Sequence, residues 1–428
     1  MAASEPVHLG IDVGTSGVRG MAIDGVGTVA AMASTKLPAP LSVEGGLRQD
    51  AQLWWTAATE VIRCVASAVG AEWIRSLAVD GTSGTLLVTD ERGAPLAPAG
   101  MYNDASAAHL AGRIKAAAPP ESGAHGATSP LARLLVLQEH HPEARYALHQ
   151  ADWIAARLTG RRGLSDDNNA LKLGYDPVSR TWPAWLDALG VRRELLPEVV
   201  APGSPLGPIR AGLAAELGLG AGCMVVAGTT DGCASFLATG ADAMGDGVTA
   251  LGTTLTLKLL SPVPIFAPQY GVYSHRLGDR WLVGGASNSG GKALLRFISA
   301  ERMAELTPLL QPDRPTGLDW HPLPEQGERF PVADPTMTFT PDLPEGDDVR
   351  LFQGLLEGIA AVEAHAYGLL ARLGAPALHT VRTVGGGAGN PAWTAIRGRL
   401  LGVPMPPVVS LEPAYGAALL ARRGVSGR

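Results

Sequence analysis

A chain of 428 residues, 46% hydrophobic and 17% charged, can bury the cores of two or three domains and is not a disordered chain. The net charge of −6, without a lysine or arginine cluster, excludes nucleic acid and anionic membranes as expected partners. No apolar run approaches 18 residues, and Cys64, Cys223 and Cys233 lack metal-ligand spacing. We therefore expect a reduced, cytoplasmic protein, or an organellar one if a transit peptide has been removed.

The first patterned stretch is LGIDVGTSGVRGMAID, residues 9–24, where two alternating runs flank a glycine-bounded turn at residues 14–17. This pattern predicts a β-hairpin. Backbone N–H groups near Gly14, with the hydroxyls of Thr15 and Ser16, can surround phosphate oxygens. Asp12 stands just before them and would repel phosphate unless a cation lay between, which indicates Mg²⁺ with a nucleotide. A plain turn is the alternative.

The next elements are a helix and then a second strand that ends in a polar turn. Asp50 is placed to cap a helix that ends before Gly70. The apolar run Ile74–Val79 then predicts a buried strand that opens into DGTSGT, residues 80–85. Turn chemistry alone could also explain this second Gly-Thr-Ser segment.

Three further polar segments stand out, the first after a loop rich in proline and glycine and the other two after apolar segments. Residues 101–104 (MYND) and 165–172 (SDDNNALK) could bind a small polar ligand, or could be a solvated loop and a helix cap. The run Cys223–Ala227 predicts a strand that opens into GTTDG, residues 228–232, ahead of a helix. Asp231 therefore lies where α/β sheets bind ligands, although helix capping is the alternative role.

The second half repeats the opening pattern of strand, Gly-Thr-Thr turn at residues 252–254, and alternating strand. This recurrence indicates a duplicated fold. Apolar residues at helical spacing over 351–373 predict the longest helix. A strand at Val381–Val384 then leads into GGGAGN, residues 385–390, and a helix from Pro391, which favours close approach to a nucleotide over a flexible loop.

Five of these segments, GIDVGTSG, VDGTSGT, AGTTDG, ALGTT and GGGAGN, stand in one order along the chain. Together they resemble the FGGY family of carbohydrate kinases, which belongs to the actin-like ATPase superfamily. The resemblance runs from Leu9 to about Ala421 and includes GERFPVADP (residues 327–335) and EGIAAVEAHAY (residues 357–367). Within the family, VDGTSGT and SDDNNALKLGY are similar to the D-ribulose kinases of plants and cyanobacteria.

The resemblance implies an α/β, two-lobed, actin-like (ribonuclease H-like) ATPase fold with duplicated mixed β-sheet domains and flanking helices. Residues 1–238 and 409–428 would form the sugar-binding lobe, and residues 239–408 the nucleotide-binding lobe, with substrate and ATP meeting in the cleft. The C-terminal helix near residues 412–423 would rejoin the first lobe.

The resemblance also implies roles for particular residues. Asp231 falls on the catalytic base, Asp12 on the acid that helps to hold Mg²⁺-ATP and the reacting groups, and Ser83 on a sugar-contacting position. The cofactor-binding positions are then Gly14, Thr15 and Ser16 in the first turn, the phosphate-contacting Gly252 and Thr253, and Gly386, Gly387 and Asn390 on the adenosine side.

Two departures from the family pattern bear on the substrate. Tyr102-Asn103-Asp104-Ala105-Ser106 replaces a W-x-D-x-R pattern, and VDGTSGT replaces the SGQMHG-like segment of xylulose kinases. Both departures favour D-ribulose as the acceptor. The resemblance then implies a kinase that uses ATP and Mg²⁺ to convert this ketopentose to D-ribulose 5-phosphate, and we expect a monomer or homodimer. The alternatives are D-xylulose or another ketose or polyol as acceptor, an actin- or chaperone-like ATPase, and a catalytically inactive sugar sensor.

Overall fold

The computed structural model describes residues 5–43, 45–342 and 346–426. The chain forms two compact units. The first comprises Met1–Ala238, Arg276–Gly278 and Ser410–Arg428, and the second comprises Thr239–His275 and Asp279–Val409.

The strands of the described residues are numbered in chain order. They are β1 (Val7–Val13), β2 (Gly17–Ile23), β3 (Val29–Lys36), β4 (Leu41–Val43), β5 (Gly46–Gln49), β6 (Ile74–Gly81), β7 (Leu86–Thr89), β8 (Ala99–Gly100), β9 (Tyr146–His149), β10 (Leu164–Asp166), β11 (Glu198–Val200), β12 (Pro205–Pro208), β13 (Met224–Val226), β14 (Asp246–Leu251), β15 (Leu255–Ser261), β16 (Tyr273–Leu277), β17 (Arg280–Ser287) and β18 (Thr380–Val384).

The α-helices are numbered in the same way. They are α1 (Ala51–Val69), α2 (Ala111–Ala117), α3 (Pro130–His140), α4 (Gln150–Thr159), α5 (Asp167–Ala170), α6 (Trp185–Ala188), α7 (Ala211–Leu217), α8 (Asp231–Ala238), α9 (Gly291–Leu295), α10 (Ala300–Leu306), α11 (Asp348–Arg372), α12 (Pro391–Leu401) and α13 (Pro413–Arg423).

The main sheet of the first unit has the strand order β12-β13-β6-β1-β2-β3. The predicted opening hairpin is confirmed, since β1 pairs with β2 antiparallel from His8–Ile23 to Val13–Val18. Strands β1, β6 and β13 run parallel to one another. All seven residues of β1 are buried because α1 and α13 both pack against it. A side chain at Gly10 would collide with the Ala414 carbonyl of α13, so only glycine allows this approach.

The helix predicted after Asp50 is confirmed as α1. The Asp50 carboxylate accepts a hydrogen bond from the Gln52 N–H at 2.9 Å, and the helix ends at Gly70 with φ of 93°. Its buried face, which includes Trp54, Val61 and Ile62, belongs to the hydrophobic core of the main sheet. The capping signal and the apolar spacing therefore agree on the same helix.

The first unit also contains smaller sheets. Strands β4-β5-β8-β7-β9 form a second sheet, whose β7 packs on α3 over a separate hydrophobic cluster that includes Leu131 and Leu134. Strands β10 and β11 pair parallel. Helix α4 follows β9 directly and packs against β6. This packing places the polar residues in the first turn of α4 at the carboxyl edge of the main sheet.

The second unit repeats the central arrangement of the first, which confirms the predicted duplication. Its sheet has the order β16-β17-β15-β14-β18, with β14 and β15 antiparallel and β14 and β18 parallel. The same relation links β1 with β2 and β6. The predicted longest helix is α11, with 25 residues, and it buries Phe352, Leu355 and Ile359 against this sheet.

Within residues 5–43, 45–342 and 346–426, no helix combines the length and apolar character that crossing a bilayer would require.

Candidate active site

The carboxyl ends of three parallel strands bring acidic residues together in the first unit. Asp12 at the end of β1 stands opposite Asp80 of β6 in the parallel register. Gly81 forms a parallel bridge with Thr230, which directly precedes Asp231. Residues from three separate stretches of sequence therefore share one sheet edge, the edge where open α/β sheets bind ligands.

Close packing requires glycine at position 228, the first glycine of the AGTTDG segment. A side chain at Gly228 would collide with the backbone carbonyl of Val79 in β6. Helix α8 begins at Asp231, whose Oδ1 accepts a hydrogen bond from the Gly232 N–H at 2.7 Å. Asp231 thus lies both at a helix start and beside the other two carboxyl groups.

The electrostatics of this edge favour the neutral forms of Asp80 and Asp12. Burial, and then the neighbouring Asp12 and Asp231 carboxylates, raise the pKa of Asp80 well above its usual range. Burial also raises the pKa of Asp12, with the charge of Asp231 adding to the shift, while the Arg19 guanidinium, 3.4 Å away, opposes it. Both Asp80 carboxylate oxygens are buried without a hydrogen-bond partner among the described residues. Asp80 was not predicted as a site residue, although its registry with Asp12 makes it part of the cluster.

Ser83 lies in the turn that leaves β6. Its hydroxyl is buried and has no hydrogen-bond partner among the described residues. The neighbouring Thr82 donates from its N–H and hydroxyl to Gln150 Oε1 at 3.0 and 2.9 Å, and its hydroxyl lies 2.6 Å from that of Thr85. Gln150 Nε2 is also buried and unpartnered among these residues. Unsatisfied buried polar atoms are rare in proteins, so this turn has the polarity of a ligand site.

Gln150 is a site residue that sequence reasoning missed. It begins α4, 68 residues from Thr82. The only local signal was a polar side chain between the strand β9 and the helix α4, and nothing in the sequence linked it to residues 80–85.

The opening turn, which contains Gly14, Thr15 and Ser16, closes on itself and on β3. The Gly14 N–H donates to the Gly17 carbonyl at 3.0 Å, and the Leu37 N–H donates to the Ser16 carbonyl at 2.9 Å. Gly14 and Thr15 are half-buried and Ser16 is exposed, so the turn remains accessible next to Asp12.

The polar segment at residues 101–106 forms an ion pair with Arg48. Asp104 is 1% exposed and pairs with the Arg48 guanidinium, which also donates to the Ser106 hydroxyl at 3.1 Å. Buried Arg133 donates to the Asp104 carbonyl at 2.7 Å. Asp104 is therefore tied to structural partners.

The segment at residues 165–172 serves partly as a helix cap. The Asp166 carboxylate accepts from the Asn168 N–H at 2.9 Å and from Asn169 Nδ2 at 2.6 Å at the start of α5. Asp167 differs, because both of its carboxylate oxygens are buried without a hydrogen-bond partner among the described residues. Its nearest cation is Arg180, at 3.9 Å.

In the second unit, the predicted turn at Gly252 and Thr253 is joined to the start of α9. The Gly291 N–H donates to the Gly252 carbonyl at 2.8 Å, and the Lys292 N–H donates to the Thr253 carbonyl at 3.1 Å. Gly252 and Thr253 are both exposed.

The loop from Gly385 to Asn390 lies against the same turn. A Cβ on Gly385 would stand 2.6 Å from the Leu251 carbonyl oxygen, and one on Gly387 would stand 2.8 Å from the Leu251 Cβ. Gly386 is exposed, whereas the Asn390 side chain caps α12 through the Trp393 N–H at 3.0 Å. Two glycine turns thus meet beside the helix N-terminus of α12, an arrangement suited to an anion.

No group of three acidic, histidine or cysteine side chains within the described ranges is arranged to hold a metal ion. A single buried carboxylate is nevertheless compatible with Mg²⁺, which is commonly bound by one or two carboxylates together with substrate phosphates. Asp12, which is 3% exposed and directly precedes the opening turn, fits that role.

The shifted pKa values of Asp166 and His8 predict how the free energy of unfolding changes with pH. Burial and the neighbouring Asp152 carboxylate raise the pKa of Asp166 to about 8, so above pH 4 the folded state retains a proton that the unfolded state loses. Stability should therefore fall as pH rises towards 8. Burial lowers the pKa of His8 to about 4, so the unfolded state binds a proton that the folded state lacks. This makes stability rise with pH, but only below about pH 6.5.

Between pH 6.5 and 8 we therefore expect the free energy of unfolding to decrease, with about 1–2 kcal/mol from Asp166 alone. The measurement is urea denaturation across this range for the native protein and for Asp166→Asn. The decrease should be smaller in the variant, and equal slopes for the two proteins would contradict the assignment.

The chain matches models of known protein families along most of its length. The model of the N-terminal domain of the FGGY family of carbohydrate kinases matches residues 7–238, and the C-terminal domain model matches residues 244–425. A xylulose kinase of Streptomyces rubiginosus is 28% identical over 475 residues, covering 100% of this chain and 89% of the relative.

Solved structures show the same fold. A xylulose kinase of Rhodospirillum rubrum has a TM-score of 0.85 and 25% identity, covering 98% of this chain and 90% of that one. A Brucella ovis structure described as a xyloylose kinase has a TM-score of 0.88 and 24% identity, covering 99% and 91%. The fold is the actin-like ATPase fold, and the chain belongs to the FGGY family of carbohydrate kinases.

Proposed function

We propose that this carbohydrate kinase transfers the terminal phosphoryl group of ATP to O5 of D-ribulose, giving D-ribulose 5-phosphate and ADP. The observation that carries the proposal is the VDGTSGT turn. It presents the Ser83 hydroxyl and, next to Thr82, the Gln150 amide nitrogen at the sheet edge that contains Asp12 and Asp231. Both groups lack a hydrogen-bond partner among the described residues. A ligand with several hydroxyl groups would satisfy these donors and acceptors.

In this proposal the first unit is the sugar-binding lobe, and Asp231 is the general base. Its carboxylate accepts the proton of the O5 hydroxyl as that oxygen bonds to the γ-phosphorus and the bond from phosphorus to the β,γ-bridging oxygen breaks. Because phosphoryl transfer depends mainly on positioning and charge stabilisation, a single carboxylate suffices as proton acceptor.

Asp12 would hold the Mg²⁺ ion that accompanies ATP, next to the Gly14–Ser16 turn. When bound, this ion supplies positive charge that offsets the charge of the phosphate oxygens. Arg19, paired with Asp12 at 3.4 Å, orients the carboxylate from the neighbouring strand. Binding of a cation would lower the pKa of Asp12, which burial raises in its absence.

The second unit is the nucleotide-binding lobe in this proposal. The exposed turn of Gly252 and Thr253 would contact phosphates, and Gly386, Gly387 and Asn390 the adenosine side. No atom lies within 4 Å of a Cβ built on Gly386, so a ligand can approach the backbone closely there.

D-Xylulose is the second candidate acceptor, favoured by the names of the relatives and solved structures described above. Against it stand the two departures from the xylulose kinase pattern, VDGTSGT and the segment at residues 102–106. The Arg48–Asp104 pair maintains a buried ion pair in that segment without the family arginine.

The test is an acceptor panel of D-ribulose, D-xylulose, L-ribulose, xylitol and glycerol in a coupled ADP-release assay, with the product identified by NMR. D-Ribulose should give the highest kcat/KM, with phosphate on O5. Equal ADP release with and without sugar would indicate an ATPase, and a higher kcat/KM for D-xylulose would establish the second candidate instead.

Replacing Ser83 by alanine should raise the KM for D-ribulose about 3- to 10-fold, the value of one neutral hydrogen bond, and leave the KM for ATP within about twofold. Steady-state kinetics with each substrate varied separately measures the two constants. Ser34→Ala, an exposed serine on β3, is the control. An equal rise in both KM values would argue against a sugar contact.

A further inference from the structure

The first unit contains a cavity of about 400 Å³ at the C-terminal end of α4, lined by none of the residues assigned to the candidate active site. Four arginines line it: Arg92, Arg157, Arg162 and Arg210. None of the described residues that line the cavity is acidic. Its volume lies within the range typical of small-molecule sites.

The positive charge of this cavity is not balanced by the protein. Arg92 and Arg162 make no side-chain hydrogen bond or ion pair with any residue in the described ranges. Arg157 donates to Gln52 Oε1 at 2.8 Å, and Arg210 donates to the Arg157 carbonyl at 3.0 Å, and both of these acceptors are neutral. Burial, and then the charge of Arg210, lower the pKa of Arg157. Arg92, Arg162 and Arg210 are exposed and Arg157 is half-buried, so solvent screens much of their mutual repulsion, and a bound anion would offset the rest.

Neighbouring groups position the side chains of Arg157 and Arg162. The Arg157 guanidinium carbon lies 4.3 Å from the ring centre of Trp55 and 4.9 Å from that of Trp153. Trp153 in turn donates from Nε1 to the Gly93 carbonyl at 3.0 Å. Arg162 lies against Gly93, since a Cβ there would stand 3.0 Å from Arg162 Nε. The donors are thus partly ordered before any ligand binds, which reduces the entropic cost of binding.

We propose that this cavity binds a small phosphorylated metabolite, with the phosphate contacted by the Arg92, Arg157, Arg162 and Arg210 guanidinium groups. Planar guanidinium groups match phosphate oxygens in pairs, and a phosphate monoester carries about −1.5 to −2 charges near pH 7. A concave cavity with an ordered tryptophan wall suits a small molecule better than a nucleic acid, whose recognition needs an extended basic surface.

The test is isothermal titration of the full chain with pyrophosphate, compared with Arg92→Gln/Arg162→Gln and with Arg75→Gln, an exposed arginine of the same unit outside the cavity. Pyrophosphate should bind the native protein and Arg75→Gln alike, and at least about 10-fold more weakly to the double variant. Citrate, of similar charge but without phosphorus, should bind more weakly than pyrophosphate to the native protein.

Equal pyrophosphate affinity in all three proteins would overturn the proposal, because any binding would then belong to the nucleotide-contacting residues. Citrate binding as tightly as pyrophosphate would overturn the phosphate assignment. Loss of binding to a single-stranded RNA oligonucleotide in the double variant, without pyrophosphate binding to the native protein, would identify a nucleic-acid surface instead. Should the double variant fail to fold by circular dichroism, Arg210→Gln alone provides the same comparison, with the same expected direction.

Discussion

Replacing Asp231 by asparagine is expected to lower kcat for phosphoryl transfer by about 10²- to 10⁴-fold, the usual contribution of a general base. Asparagine has the shape of aspartate and retains an oxygen to accept the Gly232 N–H, bonded at 2.7 Å, so the start of α8 should be preserved. It cannot accept the proton of the attacking hydroxyl. The coupled ADP-release assay measures kcat, and calorimetry should show ADP binding within about twofold of the native value.

Asp279→Asn, an exposed position in the turn between β16 and β17, is the matched control and should retain native kcat. Native kcat in Asp231→Asn would remove the base assignment. Loss of ADP binding together with activity would show that the variant had damaged the nucleotide site or the fold, and the base role would then have no kinetic support.

Replacing Glu363 by glutamine is expected to destabilise the second unit by about 3–5 kcal/mol, the cost of breaking a buried ion pair from one side. Glu363 of α11 and Arg397 of α12 are both completely buried and form a two-bond pair at 2.6 and 2.7 Å. The Thr249 hydroxyl of β14 donates to Glu363 at 2.6 Å, and Arg397 donates to the Thr383 hydroxyl of β18 at 2.7 Å. The substitution would leave the Arg397 charge buried without a counter-charge.

Urea denaturation followed by tryptophan fluorescence measures the loss. The control is Asp348→Asn, which removes a half-exposed ion pair to Arg302 of similar length, 2.8 Å, and should cost less than about 1 kcal/mol. The paired change Glu363→Leu with Arg397→Met should recover much of the stability, because two apolar groups remove the unpaired charge. A cost for Glu363→Gln no larger than that of the control would contradict the role of this network.

The hydrogen-bonded group formed by Thr249, Glu363, Thr383 and Arg397 also stabilises the strands that carry the two turns proposed to contact the nucleotide. Strand β14 ends at Leu251, directly before Gly252, and β18 ends at Val384, directly before the glycine loop. The ion pair therefore connects both strands to the two longest helices of the second unit. We expect loss of nucleotide binding in Glu363→Gln only as a consequence of lost stability, since neither charged group lies in the turns.

Much of the local structure follows from short stretches of residues. The hairpins at residues 9–24 and 247–260 and the cap at Asp50 were all predicted and all occur. Each depends on contacts between residues only a few positions apart, so apolar period and turn chemistry carry enough information. The repetition of one such hairpin was also enough to indicate the duplicated fold.

The motifs also identified Asp12, Ser83 and Asp231 as candidates, but they did not reveal the environment of these residues. Asp80 and Gln150 entered the site only through the register of β1 with β6 and the packing of α4 on β6. The pairing of Arg48 with Asp104 and of Glu363 with Arg397 joins residues 56 and 34 positions apart.

No local pattern encodes such partners, because the strands and helices that become neighbours are decided by the burial of their apolar faces together. Whether a carboxyl is neutral, paired or accessible then depends on the groups that this packing places around it. The same holds for the four arginines of the cavity, whose separate places in the chain predicted no cluster. Local chemistry therefore determined the elements and their turns, and only tertiary packing determined the charge, partners and accessibility of the side chains that they carry.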